Sequence, residues 1–325
     1  MKKLHKRLLP VMVLATGLLL AACGAKSSGT IEEGKVNVIT TFYPIYEFAT
    51  EIGGDDIHAI NLLPVGVEPH DWTPRSQDIV NTSKAQLFLY NGAGLEGWVP
   101  NFLKSLDSDS KVIATEVSKG VDLIMTDEED EHGHGDASGN NSGHAEETAD
   151  GLHTDPHTWV SPKSALTMAE NIKNSLISVD PDHKAGYEER YNQLADKLKA
   201  LDAEFTAELS KLPNKEIVVS HQAFAYLARD YGLTQHAIMG LSPDAEPRGQ
   251  DLVELAKTVK DENIHYIFFE ELVSDKLAKT LANETGASTL VLNPVEGLTK
   301  DQEKNGDNYF TLMEKNLQNL KLALQ

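Results

Sequence analysis

Short apolar runs typical of buried strands alternate with helical patterns along this chain, and the alternation occurs twice. Runs of this length that are rich in β-branched residues are typical of strands in parallel sheets. The predicted strands are residues 36–43, 58–64, 85–92, 111–117, 216–221, 236–240, 265–270 and 288–294. The predicted helices include residues 44–53, 75–83, 222–231, 247–261, 274–285 and 304–324. This order predicts an α/β protein with two (β/α)4 lobes, each built around a mostly parallel sheet.

A long helical tract lies between the two predicted lobes. Ser161 is expected to cap a helix that starts at Pro162 and runs to about residue 176. A second helix is predicted over residues 180–212, where apolar side chains recur at spacings of three and four. Since no glycine or proline interrupts it after residue 186, we expect a rigid linking helix about 45 Å long.

The first residues have the pattern of an export signal, with four basic residues before an apolar stretch that ends in "LAAC". This ending resembles a bacterial lipobox, which predicts cleavage before Cys23 and attachment of lipid to its sulfur. The alternatives are an ordinary signal peptide and a short membrane anchor. Cys23 is the only cysteine, so a disulfide is not expected. The predicted domains are a signal peptide (1–22), a flexible tether (23–34), an N-terminal lobe (35–179), the linking helix (180–212) and a C-terminal lobe (213–325).

A histidine-rich acidic loop is predicted at about residues 126–151, within the N-terminal lobe. No lysine or arginine occurs from residue 121 to 161, and residues 126–151 contain no large apolar side chain that could build a core. We expect this loop to bind divalent cations weakly, although a solvated acidic loop with incidental histidines is the alternative. His153 is either a member of the loop or a lid residue close to His157. The predicted cation-collecting residues are His132, His134, His144 and His153.

Ligand-type side chains follow the predicted strands, at the edge where open α/β sheets bind ligands. The candidates are His70, His157, His221 and Glu296. Three imidazoles and one carboxylate form a set that Zn²⁺ binds tetrahedrally. Glu68 is an alternative to Glu296 as the carboxylate ligand.

Neighbouring carboxylates and the other histidines complete the prediction for this site. Asp71 and Asp155 are close enough in sequence to orient the rings of His70 and His157. The remaining candidates are expected to be surface or hydrogen-bonded residues, namely His58, His183, His236 and His265.

Several function classes are excluded by charge and by missing motifs. The formal net charge of −21 disfavours a nucleic-acid partner, because phosphates would be repelled. The sequence contains no His-Glu-x-x-His helix, no Gly-x-Ser-x-Gly turn and no phosphate-binding glycine loop. A metal held by four protein ligands also leaves no position for a substrate. We therefore expect a binding protein rather than an enzyme.

Several segments together resemble one family, the zinc-type solute-binding lipoproteins of bacterial ABC metal importers (the ZnuA/AdcA type, also called cluster A-I or cluster 9). These segments are "TTFYPIYEFATEIGGD", "VEPHDWTPRSQDI", "YNGAGLEGWV", "DPHTWVSP", "VVSHQAFAYLARDYGL" and "NPVEGL". The resemblance implies two (β/α)4 lobes joined by a single backbone helix, with the metal site in the cleft between them. It also implies that Zn²⁺ is the transported ligand and that His70, His157, His221 and Glu296 bind it.

The same resemblance carries expectations about location and partners. It implies a monomer on the extracytoplasmic face of a Gram-positive cell membrane, anchored through lipid on Cys23. Its partners would be the permease and ATPase subunits of a zinc importer. The alternative is a manganese- or iron-binding member of the family, with a possible secondary role as an adhesin.

Overall fold

The structure is a computed structural model that describes residues 29–126, 153–244 and 247–325. The predictions for the export signal, Cys23 and the loop histidines His132, His134 and His144 lie outside the described residues. No helix in the described ranges is long and apolar enough to cross a membrane.

The N-terminal half forms a four-stranded parallel sheet of β1 (Val36–Thr40), β2 (Ile57–Asn61), β3 (Leu87–Tyr90) and β4 (Ile113–Glu116). The strand order is β2-β1-β3-β4, so the first strand lies inside the sheet. Its central register pairs Val38 with Ala59 on one side and with Leu87 on the other. The connecting helices are α1 (Tyr43–Gly53), α2 (Ser76–Lys84) and α3 (Val99–Lys104). A two-stranded antiparallel hairpin of β5 (Met125–Thr126) and β6 (His153–Thr154) follows.

Two long helices, α4 (Pro162–Val179) and α5 (Lys184–Leu209), pack against each other between the sheets. The linking helix is therefore shorter than predicted, at about 39 Å, because residues 181–183 form a 3₁₀ turn and the helix ends at Leu209. Pro162 does begin α4, but the hydroxyl of Ser161 does not cap it. Instead, that hydroxyl donates to the carboxylate of Asp230 in the C-terminal half.

The C-terminal half repeats the topology of the first. Its parallel sheet contains β7 (Glu216–Val219), β8 (Thr234–Ala237), β9 (Tyr266–Phe269) and β10 (Ser288–Val291). The order is β8-β7-β9-β10, which again places the first strand between the second and the third. The helices are α6 (Ala225–Tyr231), α7 (Gly249–Asp261), α8 (Lys276–Thr285), α9 (Lys300–Asn305) and α10 (Tyr309–Ala323). Two parallel sheets of four strands confirm the predicted fold class.

Two predicted boundaries in this half are wrong. β8 lies at 234–237 rather than 236–240. The single helix predicted over 304–324 is interrupted, because Gly306 adopts φ +74° and the side chain of Asn308 then caps α10 by accepting from Thr311 N at 2.9 Å. The β5–β6 hairpin and the short helix α3 were not predicted, since neither segment has enough residues to show a period.

One continuous hydrophobic core extends across both halves of the molecule. It contains residues from the first sheet, from α4 and α5, and from the second sheet and α10, such as Val38, Leu198, Val219 and Leu317. Trp159 and Tyr309 are fully buried within it. Two smaller clusters each lie within one half, and the predicted domain bounds at 179 and 212 remain a prediction.

Candidate metal centre

Four predicted ligand residues come from four separate loops and meet between the two sheets. His70 lies in the loop between β2 and α2, and His157 directly precedes the 3₁₀ turn 158–160 that leads into α4. His221 follows β7, and Glu296 follows β10. Their ligand atoms all lie within 4.8 Å of one another. The fold thus brings together loops that follow strands of both sheets, as expected for an α/β ligand site.

The ligand atoms form a small cage. The Nε2 atom of His157 lies 3.1 Å from that of His70 and 3.2 Å from that of His221. Oε1 of Glu296 lies 3.4 Å from Nε2 of His157, 3.6 Å from that of His221 and 3.7 Å from that of His70. A tetrahedral zinc ion with bonds of about 2.0–2.1 Å separates its ligand atoms by about 3.3–3.4 Å. The observed separations therefore bracket those of a tetrahedral Zn²⁺ site.

Two of the histidines are oriented by buried carboxylates in the same way. Asp155 Oδ1 accepts from both the backbone N–H and the ring Nδ1–H of His157, each at 2.9 Å. Glu270 Oε1 accepts from the backbone N–H of His221 at 3.3 Å and from its Nδ1–H at 2.8 Å. Because Nδ1 of each ring donates to a carboxylate, Nε2 is the ring nitrogen that faces the cage and binds a metal once it carries no proton.

Burial and charge act against each other at these two imidazoles. Burial disfavours the charged form of His157, but the Asp155 and Glu296 carboxylates outweigh it and raise the pKa to about 9. The same competition at His221, with Glu270 as its main partner, raises the pKa well above the usual value. In the absence of a metal, both imidazoles therefore favour the protonated form more than a free histidine does. A metal ion must displace those protons in order to bind.

Glu296 is a buried carboxylate with an unsatisfied oxygen. Its side chain is 2% exposed, and Oε1 has no hydrogen-bond partner in the part of the chain that the structure describes. Burial raises the pKa of Glu296, but the surrounding imidazoles outweigh this and hold the pKa well below its usual range. A buried, charged oxygen with no donor is costly unless a cation compensates it. This observation fits a metal ligand.

His70 is held differently from the other two histidines. Glu68 accepts from its backbone N–H, with both carboxylate oxygens at 3.0 Å, but lies 3.9 Å from Nε2 and does not orient Nδ1. Burial lowers the pKa of His70, so its imidazole favours the neutral form. Burial and the nearby Glu296 raise the pKa of Glu68 to about 8. Glu68 forms a separate acidic group with Asp71 and Asp244, and Glu296 is the carboxylate that approaches all three rings.

The other described histidines lie outside this cage. His153 pairs with Thr126 in the hairpin, and the described residues place it in no metal-binding group. The remaining four have hydrogen-bonding neighbours elsewhere: His58 at Thr30, His183 at Asp180, His236 at Glu216 and His265 at Asn263.

Sequence reasoning identified Asp155 as a neighbour of His157 but missed Glu270. The available signal was its position, since Glu270 directly follows β9 at the same sheet edge as His221. Two adjacent glutamates, Glu270 and Glu271, follow that strand. The sequence does not show which of them faces the site. The structure shows that Glu271 instead accepts from Asn293 and Gln302.

Comparisons with known proteins identify the family of this chain. The family described as "ZnuA: Zinc-uptake complex component A periplasmic" matches residues 38–323. The High-affinity zinc uptake system protein ZnuA of Bacillus subtilis is 41% identical over 316 residues, covering 96% of both chains. The Zinc-binding lipoprotein AdcA of Streptococcus pneumoniae is 40% identical over 319 residues, which cover 97% of this chain and 60% of AdcA.

Solved structures show the same architecture. The Zn(II)-bound ZnuA-like domain of S. pneumoniae AdcA matches with a TM-score of 0.73 and 39% identity, over 90% of this chain and 99% of that domain. The laminin binding protein Lmb of Streptococcus agalactiae, described as bifunctional with adhesin and metal transporting activity, matches with a TM-score of 0.75 and 31% identity, over 90% of this chain and all of Lmb. The chain therefore belongs to the ZnuA family of zinc-uptake complex components.

Proposed function

We propose that this protein captures Zn²⁺ outside the cytoplasm and delivers it to the permease of an ABC importer. The observation that carries the proposal is the cage of three imidazole nitrogens and one buried carboxylate oxygen. Five of the six separations between its ligand atoms are 3.1–3.7 Å, which suits tetrahedral Zn²⁺. The names of the relatives, zinc-binding and zinc uptake proteins, support the same cargo. The chain spans about 60% of the length of AdcA.

The ligand chemistry favours zinc over manganese. Imidazole-rich sites suit Zn²⁺, whereas carboxylate-rich sites suit Mn²⁺, and the general affinity order for divalent ions also places zinc higher. Four protein ligands fill a tetrahedral zinc ion, so no coordination position remains for a reacting water or substrate. This arrangement supports capture and release rather than catalysis. A manganese- or iron-binding member of the family is the alternative.

The proposal extends to location and partners. Proteins of this family act outside the cytoplasm and work with the permease and ATPase components of an ABC importer, and the corresponding subunits are the proposed partners here. A lipid on Cys23 would hold the chain at the membrane, and a relative carries the name lipoprotein. The histidine-rich loop is proposed to raise the local concentration of cations through its negative charge.

A second role as an adhesin is supported by one observation, the likeness to Lmb at 31% identity and a TM-score of 0.75. We regard it as secondary, because the ligand cage explains a metal-binding function without it. Binding to laminin-coated surfaces, measured with and without zinc, tests this role. An absence of binding in both conditions would exclude it.

A metal competition titration tests the main proposal. The protein is equilibrated with equal concentrations of Zn²⁺ and Mn²⁺ near neutral pH, and the bound metals are measured by elemental analysis. We expect one zinc per chain and little manganese. His221→Glu should reduce the preference for Zn²⁺ over Mn²⁺, because it replaces a nitrogen ligand with a carboxylate. His265→Ala, remote from the cage, is the matched control. Preferential binding of manganese by the wild-type protein would overturn the zinc assignment.

A further inference from the structure

The loop that carries Glu296 contains a strained residue directly before the proposed ligand. Val295 adopts φ +59°, a left-handed conformation that is unfavourable for a β-branched side chain. Residues 292–298 are all buried. Such a conformation persists only where the surroundings hold it in place. The contacts around Val295 therefore determine where the Glu296 carboxylate lies.

Contacts within the C-terminal half fix the start of this loop. Asn293 Oδ1 accepts from Val295 N at 2.7 Å, which closes a local turn. Asn316 on α10 accepts from Asn293 N at 2.8 Å and donates to Asn293 O at 2.6 Å. These bonds hold Asn293, but they do not fix the residues that follow Val295.

The N-terminal half supplies a hydrogen bond on each side of Glu296. The indole Nε1–H of Trp159 donates to Pro294 O at 2.7 Å, two residues before Glu296. Gly66 N, in the loop that carries His70, donates to Leu298 O at 2.9 Å, two residues after it. Trp159 itself lies two residues after His157. The loops that carry His70 and His157 thus both donate hydrogen bonds to the loop that carries Glu296.

Trp159 is well placed to act as a fixed support. It is fully buried, its ring packs edge-on against Phe42 at 4.6 Å between centroids, and its backbone carbonyl accepts from the Tyr309 hydroxyl at 2.8 Å. Its indole N–H is its only side-chain donor, and that donor is used on Pro294. The bond therefore sets the distance between the loop of His157 and the loop of Glu296.

We propose that Trp159 is a positioning residue for the metal site, which acts through Pro294 to hold Val295 in its strained conformation and the Glu296 carboxylate against the three imidazoles. This inference rests on the proposed function, because it requires Glu296 to bind the metal. Without the indole bond, Val295 can relax and the carboxylate can withdraw. Metal release then becomes faster, while the histidines keep their own carboxylate partners.

The first test compares two core substitutions in the full chain. Trp159→Phe removes the N–H, whereas Phe42→Leu disturbs the same aromatic pair and leaves the N–H intact. We expect Trp159→Phe to weaken zinc binding about tenfold or more, mainly through faster dissociation into a chelator, since partners that orient metal ligands have effects of this size. Phe42→Leu should lower the melting temperature of the metal-free protein with little change in zinc dissociation.

A spectroscopic measurement separates positioning from general destabilisation. Co²⁺ in place of zinc absorbs visible light strongly when its coordination is tetrahedral and weakly when it is five- or six-coordinate. Trp159→Phe should reduce this absorption because Glu296 withdraws and water enters, and Phe42→Leu should preserve it. Equal zinc dissociation rates and equal cobalt spectra for the two variants would overturn the proposal.

A measurement on the wild-type protein does not depend on the folding of any variant. If the indole bond favours metal binding, then metal binding must favour the bond to the same extent. Hydrogen exchange of the Trp159 indole N–H should slow when zinc is added, while that of Trp98, outside the site, should not change. Unchanged exchange at Trp159 in protein that binds zinc would refute the positioning role alone. Failure of the wild-type protein to bind zinc would overturn the proposed function together with it.

Discussion

The two buried histidines and His70 reach the same cage in different ways. His157 and His221 are fully buried, and each is held by a carboxylate that accepts from its ring Nδ1 and from its own backbone N–H. His70 lies in a loop between β2 and α2, where Glu68 holds its backbone but leaves its ring unoriented. The cage thus has two rigid histidines and one less constrained histidine. We expect release of a bound metal to begin at His70, because its ring is held least.

The largest effect should come from removal of a rigid ligand. Zinc that binds the native state stabilises it by mass action, so its effect on the melting temperature reports the site. His221→Ala should abolish most of the zinc-dependent rise in melting temperature. The side chain of His236 bonds Glu216 outside the cage, so His236→Ala should retain the zinc-dependent rise in melting temperature. Calorimetry of both variants with and without zinc checks this, and an equal loss in the two would remove His221 from the ligand set.

A smaller effect is expected from the carboxylates that orient the rigid histidines. Glu270→Gln and Asp155→Asn keep the size of each side chain but weaken the bond to Nδ1. Zinc affinity should fall about tenfold to a hundredfold in each. Glu68→Gln is the matched change beside His70 and should have a weaker effect, because Glu68 does not hold the ring. Chelator competition measures the zinc affinity of all three variants. A larger loss of affinity in Glu68→Gln than in the other two would contradict the distinction between the rigid histidines and His70.

The pH dependence follows from the raised pKa values of the two rigid histidines. The pKa of His157 is about 9, and that of His221 is also raised, so zinc competes with protons below that pH. Zinc affinity should fall as the pH decreases from about 9 to 6, by about tenfold per unit for each proton displaced. This fall begins at a higher pH than an unperturbed imidazole would give.

The metal-free protein should show the opposite trend with pH. A histidine whose pKa is raised by folding stabilises the protein fully below the unfolded value of about 6.5. That stabilisation is lost as the pH rises through the folded value of about 9 for His157. Calorimetric titrations with and without zinc measure both trends. A zinc affinity that does not change between pH 7 and 9 would mean that the histidines are already neutral in the metal-free state.

The sequence predicted the architecture well because the relevant signals are local. Periodic apolar runs revealed both sheets, and histidines next to strand ends revealed the cage. Contacts made at long range were not visible in the sequence. The role of Glu270 depends on how β9 lies beside β7. The Ser161 hydroxyl was expected to cap a helix, but it bonds Asp230, 69 residues later in the chain. The strain at Val295 likewise depends on Trp159, which lies more than a hundred residues earlier.

The most direct test of the metal centre is an anomalous-scattering map from crystals of zinc-loaded protein, recorded on both sides of the zinc absorption edge. We predict one strong peak, about 2.0–2.2 Å from Nε2 of His70, His157 and His221 and from an oxygen of Glu296. Weaker peaks near other acidic groups would not alter this assignment. A main peak bound by Glu68, Asp71 and Asp244 instead, or a zinc ion that does not contact His221 and Glu296, would contradict it.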